Sequence, residues 1–141
     1  MTAAEMIAKL NEHRPAAVSK LHGSVHHFDE SAESLEMRFQ IDESFCHSGD
    51  IVQGGFIAGM MDAAMAHVVF LTLRELVVVA SLEIKVSYFD IARPGELRAI
   101  GRIAKLGRSI GFLTAELRSE TDELLATATS TAKIIRKQPP P

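Results

Sequence analysis

A glycine pair and a single carboxylate share one long apolar stretch of this chain. The stretch VQGGFIAGMMDAAMAHVV runs over residues 52–69 and contains Gly54, Gly55 and Asp62. Apolar residues all around a helix indicate a helix that is buried on every side. Burying a carboxylate is costly unless the group is paired, so Asp62 is the first candidate for a chemical role.

These residue types suit a reaction that develops negative charge on an oxygen atom. The first N–H groups of a helix have no intrahelical partner and lie at its positive end, where they stabilise an oxyanion. Glycine allows a substrate to approach this backbone closely. Gly54, with Gly55 beside it, therefore predicts an oxyanion hole. Asp62 predicts a nucleophile or a general base, and the sequence does not choose between these two roles.

The spacing of these residues predicts a second copy of the chain. Gly54 and Asp62 are eight residues apart, which is about 12 Å along one helix, so one small carbonyl group cannot touch both. Two such helices packed antiparallel across a two-fold axis bring Asp62 of one chain close to Gly54 of the other. The sequence therefore predicts a homodimer, and it leaves a homotetramer open.

The composition argues against several classes of protein. A net charge of −3 argues against a nucleic-acid or anionic-membrane binder, since both need a basic surface. Gln53, Asp62 and His67 argue against a membrane span over 51–73. The polar N-terminus lacks a secretory signal, and the single cysteine, Cys46, permits no internal disulfide. These features predict a cytoplasmic protein.

The N-terminal segment, 1–16, carries a helix signal. Thr2 followed by Glu5 is a capping-box pattern, which predicts a helix over Ala3–Glu12. The next stretch, Ala17–Asp29, is weakly patterned and has room for one strand.

The rest of the chain predicts a sheet with one helix. The apolar helix is expected over 54–73, and in LEIKVSYF the side chains of Leu82 and Tyr88 belong to the predicted buried face. A frayed tail is expected at 135–141. Alternating apolar residues predict strands at 34–42, 82–89, 96–105, 109–119 and 123–133. The prediction is an α+β fold in one domain, 1–141, with an antiparallel sheet curled around one long central helix.

This outline, with HSGDIVQGGFIAGMMDAAMA at its centre, resembles the hotdog-fold thioesterases, and among them the PaaI-like (phenylacetic acid degradation) acyl-CoA thioesterases. In that family an acid lies eight residues after the first of two paired glycines, as Asp62 does after Gly54. Tyr88 with the ARPGE turn, and the hairpin GRIAKLGRSIGFLTAEL, match the segments that follow in the family. The resemblance covers roughly 35–133.

Two positions depart from the family pattern. Gln53 stands where the family often has His, and His47 stands where it often has Asn. Gln53 is expected to hold the thioester carbonyl or a water molecule. His47 is expected to orient a water molecule or donate to the carbonyl.

The resemblance implies an enzyme that hydrolyses an aryl- or medium-chain acyl-CoA to the free acid and coenzyme A. It implies no cofactor and no metal, and an active site at the dimer interface, where Asp62 of one subunit acts with the Gly54 amide of the other. Ser81 matches a position where the family often carries a hydroxyl near the attacking water. Lys105 and Arg108 lie at the hairpin that borders the coenzyme A phosphates in the family, and Gly55 completes the substrate-binding set.

Each of these residues also has a structural interpretation. Asp62 can be a carboxylate that is hydrogen-bonded across the dimer, and the glycines can serve tight packing. Ser81 can be a strand-end residue, and Lys105 and Arg108 can be solvated hairpin charges. His67 lies off the Asp62 face of the helix and is expected to be a satisfied core or interface histidine.

Other functions remain open besides the thioesterase. The alternatives are a non-catalytic acyl-CoA-binding or regulatory hotdog protein, a hotdog dehydratase and a structural dimer without a small ligand. A metal site is rejected, since neighbours His26 and His27 point to opposite faces of a strand and no Cys or acid cluster joins His22. Cys46 and His47 are rejected as a nucleophile–base pair, since adjacent residues of a strand point to opposite faces.

Overall fold

A computed structural model describes residues 1–137. Its regular elements in chain order are α1 Ala3–Glu12, α2 Ala16–Lys20, β1 Gly23–Asp29, β2 Ser34–Ile41, β3 Cys46–Ser48, β4 Ile51–Val52, α3 Gly54–Leu73, β5 Val78–Tyr88, β6 Gly95–Leu106, β7 Ile110–Arg118 and β8 Leu124–Ile135. A 3₁₀ turn, Glu43–Phe45, precedes β3.

Six of the strands form one antiparallel sheet in the order β1-β2-β6-β7-β8-β5. Alternation along the strands gives this sheet a buried inner face, where Leu35, Met37 and Phe39 of β2 are fully covered. Helix α3 lies on that inner face, mainly against β6 and β7. The predicted α+β hotdog architecture, a curled antiparallel sheet with one long central helix, is therefore confirmed.

The N-terminal helix has the predicted bounds, and its capping box is present. The Thr2 hydroxyl accepts from the Glu5 amide over 3.1 Å, and the Glu5 carboxylate accepts from the Thr2 amide over 3.3 Å. The following stretch contains the one strand for which the sequence has room, and also a short helix that was not predicted. The short helix α2 comes first, and β1 begins after His22, which adopts a left-handed backbone conformation with φ 53°.

Close contact between α3 and the sheet depends on a glycine in β6. A Cβ atom added at Gly101 would lie 2.4 Å from the carbonyl oxygen of Ala64, so only glycine permits this approach of two backbones. By length and composition α3 could cross a membrane. It instead packs on the sheet, where nine of its side chains are buried. The helix is the core element that the sequence predicts.

The edge strand β5 contains a bulge that corrects one prediction. Ser81 pairs with Ala132 and Glu83 pairs with Thr131, so Leu82 is the extra residue. The predicted placement of Leu82 on the buried face is wrong, since its side chain is 60% exposed. The bulge turns Ser81 to the inner face, because the side-chain alternation shifts by one residue. The strand also begins at Val78, earlier than predicted.

Two further segments differ from the prediction, one just before α3 and one at the C-terminal end. The short hairpin of β3 and β4, just before α3, has no counterpart among the predicted elements. Strand β8 continues to Ile135, so the predicted tail begins with a strand residue. The last four residues of that tail, 138–141, lie outside the described residues.

Candidate active site

The first turn of α3 presents unpaired amides. Gln53 is the N-terminal cap residue with an extended backbone, and its side chain makes no capping hydrogen bond. Its carbonyl accepts from the Phe56 amide over 3.1 Å. No acceptor within residues 1–137 lies against the amides of Gly54 and Gly55. These two unpaired N–H groups lie at the positive end of a 20-residue helix, where the backbone can stabilise an anion.

The two glycines have different surroundings. The Tyr88 hydroxyl donates to the Gly54 carbonyl over 2.7 Å, and a Cβ atom at Gly54 would lie 2.9 Å from that hydroxyl oxygen. At Gly55 nothing lies within 4 Å of an added Cβ atom. Packing inside the chain thus explains the glycine at 54, whereas the space beside Gly55 is open.

A cavity of about 250 Å³ adjoins this turn. His47, on β3, lies in its wall and hydrogen-bonds through Nδ1 with the Ser48 hydroxyl over 2.8 Å. The wall is mostly apolar, which suits a hydrocarbon group next to a polar reacting centre. The other lining residues are Ile51, Val52, Gly54, Ile57, Tyr88, Asp90, Ile91 and Ala92.

The bulge in β5 determines the surroundings of Asp62. Ser81, which the bulge turns inward, donates its hydroxyl hydrogen to Oδ1 of Asp62 over 2.8 Å. The Asp62 side chain is half-buried, and no other group in residues 1–137 donates to it. One carboxylate oxygen is therefore oriented by Ser81, and the other is free to accept a proton or attack a carbon.

Within one chain, the glycine amides and the Asp62 carboxylate lie far apart. Gly54 and Asp62 are separated by two turns of α3, about 12 Å, and neither Asp62 nor Ser81 lines the cavity beside Gly54. Tyr88 is the last residue of β5, whereas Ser81 lies near its beginning. A single subunit therefore places Gly54 and Asp62 near opposite ends of one strand.

The two predicted phosphate-binding cations lie at the Asp62 end of the sheet. Lys105 and Arg108 are exposed and form no ion pair with any described carboxylate. They flank the β6–β7 hairpin. The end of β6 at Leu106, between them in the chain, lies three inter-strand spacings, or about 14 Å, from Ser81. The register that connects them is Ser81 to Ala132, Ala132 to Gly111 and Gly111 to Leu106.

Two other reactive side chains lie outside this arrangement. Partial burial, with Asp50 and Glu43 nearby, raises the pKa of the Cys46 thiol, so the thiol stays protonated near neutral pH. His67 is 3% exposed, and its Nδ1–H donates to the Ala63 carbonyl over 2.7 Å. Burial lowers the pKa of His67, and the predicted satisfied core histidine is confirmed.

Sequence reasoning missed the contact of Tyr88, the position of Asp90 and the bulge. Tyr88 entered as a residue of the predicted buried strand face and as part of a resemblance, although it contacts Gly54 directly. Asp90 is the carboxylate that shares the cavity with Gly54 in the same chain. A bulge at Leu82 leaves no signal in the residue pattern, since LEIKVSYF reads as plain alternation.

Comparison with known proteins identifies the family. The model of the thioesterase superfamily matches residues 49–126, more than half of the chain, including the glycine pair, Asp62 and Ser81. No curated protein matches the chain.

Three solved structures share the fold. A phenylacetic acid degradation-related protein of Ralstonia eutropha is 28% identical, with a TM-score of 0.83 over 94% of this chain and 99% of that chain. The PaaI protein of the E. coli phenylacetic acid degradation operon is 14% identical, with a TM-score of 0.81 over 94% of each chain. A Streptococcus mutans protein bound to acetyl CoA is 18% identical, with a TM-score of 0.71 over 82% of this chain and 91% of that chain. The chain therefore belongs to the thioesterase superfamily, as a thioester hydrolase with the PaaI-like hotdog fold.

Proposed function

We propose that this protein hydrolyses acyl-CoA thioesters with an aryl or medium-chain acyl group, using Asp62 of one subunit and the Gly54 amide of another. The observation that carries the proposal is the half-buried Asp62 carboxylate, held by Ser81, on the same helix as two unpaired glycine amides. Membership of the superfamily supports a thioester substrate. The Streptococcus mutans neighbour, which binds acetyl CoA, supports a coenzyme A thioester.

In the proposed reaction, the glycine amides of one subunit stabilise negative charge and Asp62 of the other promotes the attack. The thioester carbonyl oxygen binds at the amides of Gly54 and Gly55, which stabilise the negative charge that develops there. An oxygen atom of water or of Asp62 adds to the carbonyl carbon, the carbon–sulfur bond breaks, and coenzyme A leaves as a thiolate that takes up a proton. No cofactor enters this scheme.

Asp62 fits either of two roles in this step. As a general base it removes the proton from the attacking water, and as a nucleophile it forms an anhydride that water then hydrolyses. In both roles Ser81 orients the carboxylate through its 2.8 Å hydrogen bond. After a single turnover in ¹⁸O water, label on Asp62 would identify the nucleophile role, since general-base catalysis places the label in the acid product alone.

Pairing at the edge of the sheet supports assembly of the site from two copies. Strand β5 is an 11-residue edge strand, and one of its backbone sides has no partner within residues 1–137. Val78, Leu82 and Tyr88 on this strand are exposed, and long apolar edge strands are normally covered. Antiparallel pairing of two β5 strands reverses their direction, so the Tyr88 end of one copy faces the Ser81 end of the other.

The same pairing gives the remaining polar residues consistent roles. Gln53 and His47, at the Gly54 end, hold the thioester carbonyl or the attacking water. Lys105 and Arg108 belong to the Asp62 end and bind the phosphates of coenzyme A through opposite charge. The apolar cavity beside Gly54 receives the acyl group.

Thiol release from a panel of aryl- and alkyl-acyl-CoAs tests this function, with Asp62→Asn assayed beside the wild type. We expect turnover by the wild type and a loss of about 10²- to 10⁴-fold in kcat for Asp62→Asn, the range for a lost acid–base group. Asp90→Asn is the matched control, because Asp90 is the carboxylate beside Gly54 in the same chain. We expect this control to keep its activity.

Each other result contradicts the proposal in a distinct way. Loss of activity in Asp90→Asn with retention in Asp62→Asn would assign the chemistry to a site within one chain. Tight binding of acyl-CoA without turnover by the folded wild type would identify a non-catalytic acyl-CoA-binding protein.

The superfamily supports a soluble protein, and the cytoplasmic location stays a prediction.

A further inference from the structure

Tyr88 makes a contact that the reaction scheme above does not use. Its hydroxyl donates to the carbonyl oxygen of Gly54 over 2.7 Å, although 51% of the residue is exposed. Gly54 is the first residue of α3, and Tyr88 is the last residue of β5. The hydrogen bond therefore connects the first turn of the helix to the end of the edge strand.

This contact acts on one rigid group. The carbonyl of Gly54 and the N–H of Gly55 belong to the same planar peptide unit. A carbonyl oxygen has two lone pairs, so this one accepts from Tyr88 in addition to the helix amide one turn later. Holding the carbonyl oxygen fixes the direction of the Gly55 N–H, and donation to the carbonyl polarises that N–H further.

The glycine at position 54 makes the contact possible. A Cβ atom there would lie 2.9, 3.0 and 3.2 Å from three atoms of the Tyr88 side chain, namely Oη, Cζ and Cε1. Any larger residue would push the ring away from the backbone. The ring also forms part of the wall of the 250 Å³ cavity, so its position and that of the amides are set together.

We propose that Tyr88 is a positioning residue, whose hydroxyl fixes the Gly54–Gly55 peptide so that its N–H meets the oxyanion of the thioester. The proposal rests on the proposed function and deepens it. Tyr88 acts through the backbone and does not touch the reacting atoms. Removal of the hydroxyl leaves the first turn free to reorient, and a small misplacement of a catalytic donor slows the chemical step.

Tyr88→Phe tests the proposal, because it removes the hydroxyl and keeps the ring. We expect kcat to fall about tenfold or more, with KM within about twofold of the wild-type value, since only the transition-state contact is weakened. Ser130→Ala is the matched control. Its hydroxyl also donates to a backbone carbonyl, that of Glu83, over 2.8 Å, and its loss is expected to leave kcat unchanged.

Amide hydrogen exchange gives a second readout that does not depend on turnover. The amides of Phe56 and Ile57 both donate to the Gln53 carbonyl, over 3.1 and 3.4 Å, and these bonds define the first turn. We expect faster exchange of both amides in Tyr88→Phe and no change there in Ser130→Ala.

The combined results decide between this proposal and its rivals. Wild-type kcat in Tyr88→Phe, or a defect confined to KM, would overturn it. A lower kcat with unchanged exchange would also overturn it, since Tyr88 would then act on the substrate itself. If the wild type turns over no thioester, the proposed function fails separately, and exchange alone decides: faster exchange supports the positioning role and unchanged exchange overturns it.

Discussion

The paired glycines at the start of α3 have separate physical causes. At Gly54 a side chain would collide with Tyr88, so the absence of a side chain is explained within one chain. At Gly55 an added Cβ atom meets nothing within 4 Å. Intrachain packing therefore does not require glycine at 55, whereas the proposed approach of a substrate to the Gly55 amide would.

Gly55→Ala separates stability from activity at this position. We expect the free energy of unfolding to stay the same or rise by up to about 1 kcal/mol, because alanine favours the helix over glycine. We expect kcat/KM to fall, because the new methyl group occupies the space beside the amide. Chemical denaturation and thiol release measure the two effects.

Gly59→Ala is the matched control for this substitution. Its Cβ atom would meet only the Leu21 side chain at 3.8 Å, an ordinary contact one turn later in the same helix. We expect the control to keep its activity. Wild-type activity in Gly55→Ala would mean that the Gly55 amide does not face the substrate.

At the scale of single elements, α3 is the core of the fold and contains both proposed catalytic positions, Gly54 and Asp62. Its buried residues include one titratable side chain, His67, which the sheet and neighbouring helix residues shield from water. Burial lowers the pKa of His67 in the folded protein below its ordinary value of 6.5. Protonation of this side chain therefore opposes folding.

Stability should fall on mild acidification for this reason. Above about pH 6.5 both states leave His67 neutral, and its contribution to stability is complete. As the pH falls from 6.5 through the lowered folded pKa, only the unfolded state binds the proton, and stability falls by at most about 1.4 kcal/mol per pH unit. Denaturation at fixed protein concentration between pH 7.5 and 5 measures this slope.

Two variants isolate the effect of His67. His67→Gln should flatten the slope, whereas His27→Gln, at an exposed position of β1, should leave it unchanged. Glu36 does not contribute to the slope of stability between pH 7.5 and 5. Its partial burial is outweighed by hydrogen bonds from Arg98 and Arg38, which lower its pKa, so its stabilising contribution is lost only below about pH 4.5. An unchanged slope in His67→Gln would contradict the account.

The sequence predicts these elements better than it predicts their irregularities. The bounds of α1 and α3 follow from a capping box and from an unbroken apolar run, which are local signals. The bulge at Leu82 depends on how β5 pairs with β8, and pairing is not encoded within the strand itself. Asp62 and Gly54 are therefore identifiable from residue types, whereas the contacts of Ser81 and Tyr88 require the folded chain.

At the scale of the whole molecule, one subunit holds the two proposed halves of the active site apart. The Gly54 half, with Tyr88 and the cavity, lies at one end of β5, and the Asp62 half, with Ser81, lies toward the other. The free edge of β5 lies between these halves. Two-fold pairing at this edge would create two identical complete sites, whereas an isolated subunit would have none.

The central claim is that each active site combines Gly54 of one subunit with Asp62 of another. The most direct test co-expresses Asp62→Asn and Gly54→Ala chains with different affinity tags and assays the purified mixed dimer. Each homodimer should be inactive. Asp62→Asn removes the carboxylate from every site, and the methyl group introduced by Gly54→Ala collides with Tyr88 and displaces the amides at the start of α3. The mixed dimer should recover about half of the wild-type activity, because one of its two sites receives both intact groups. A mixed dimer as inactive as the two homodimers would contradict the shared site and place the chemistry within a single chain.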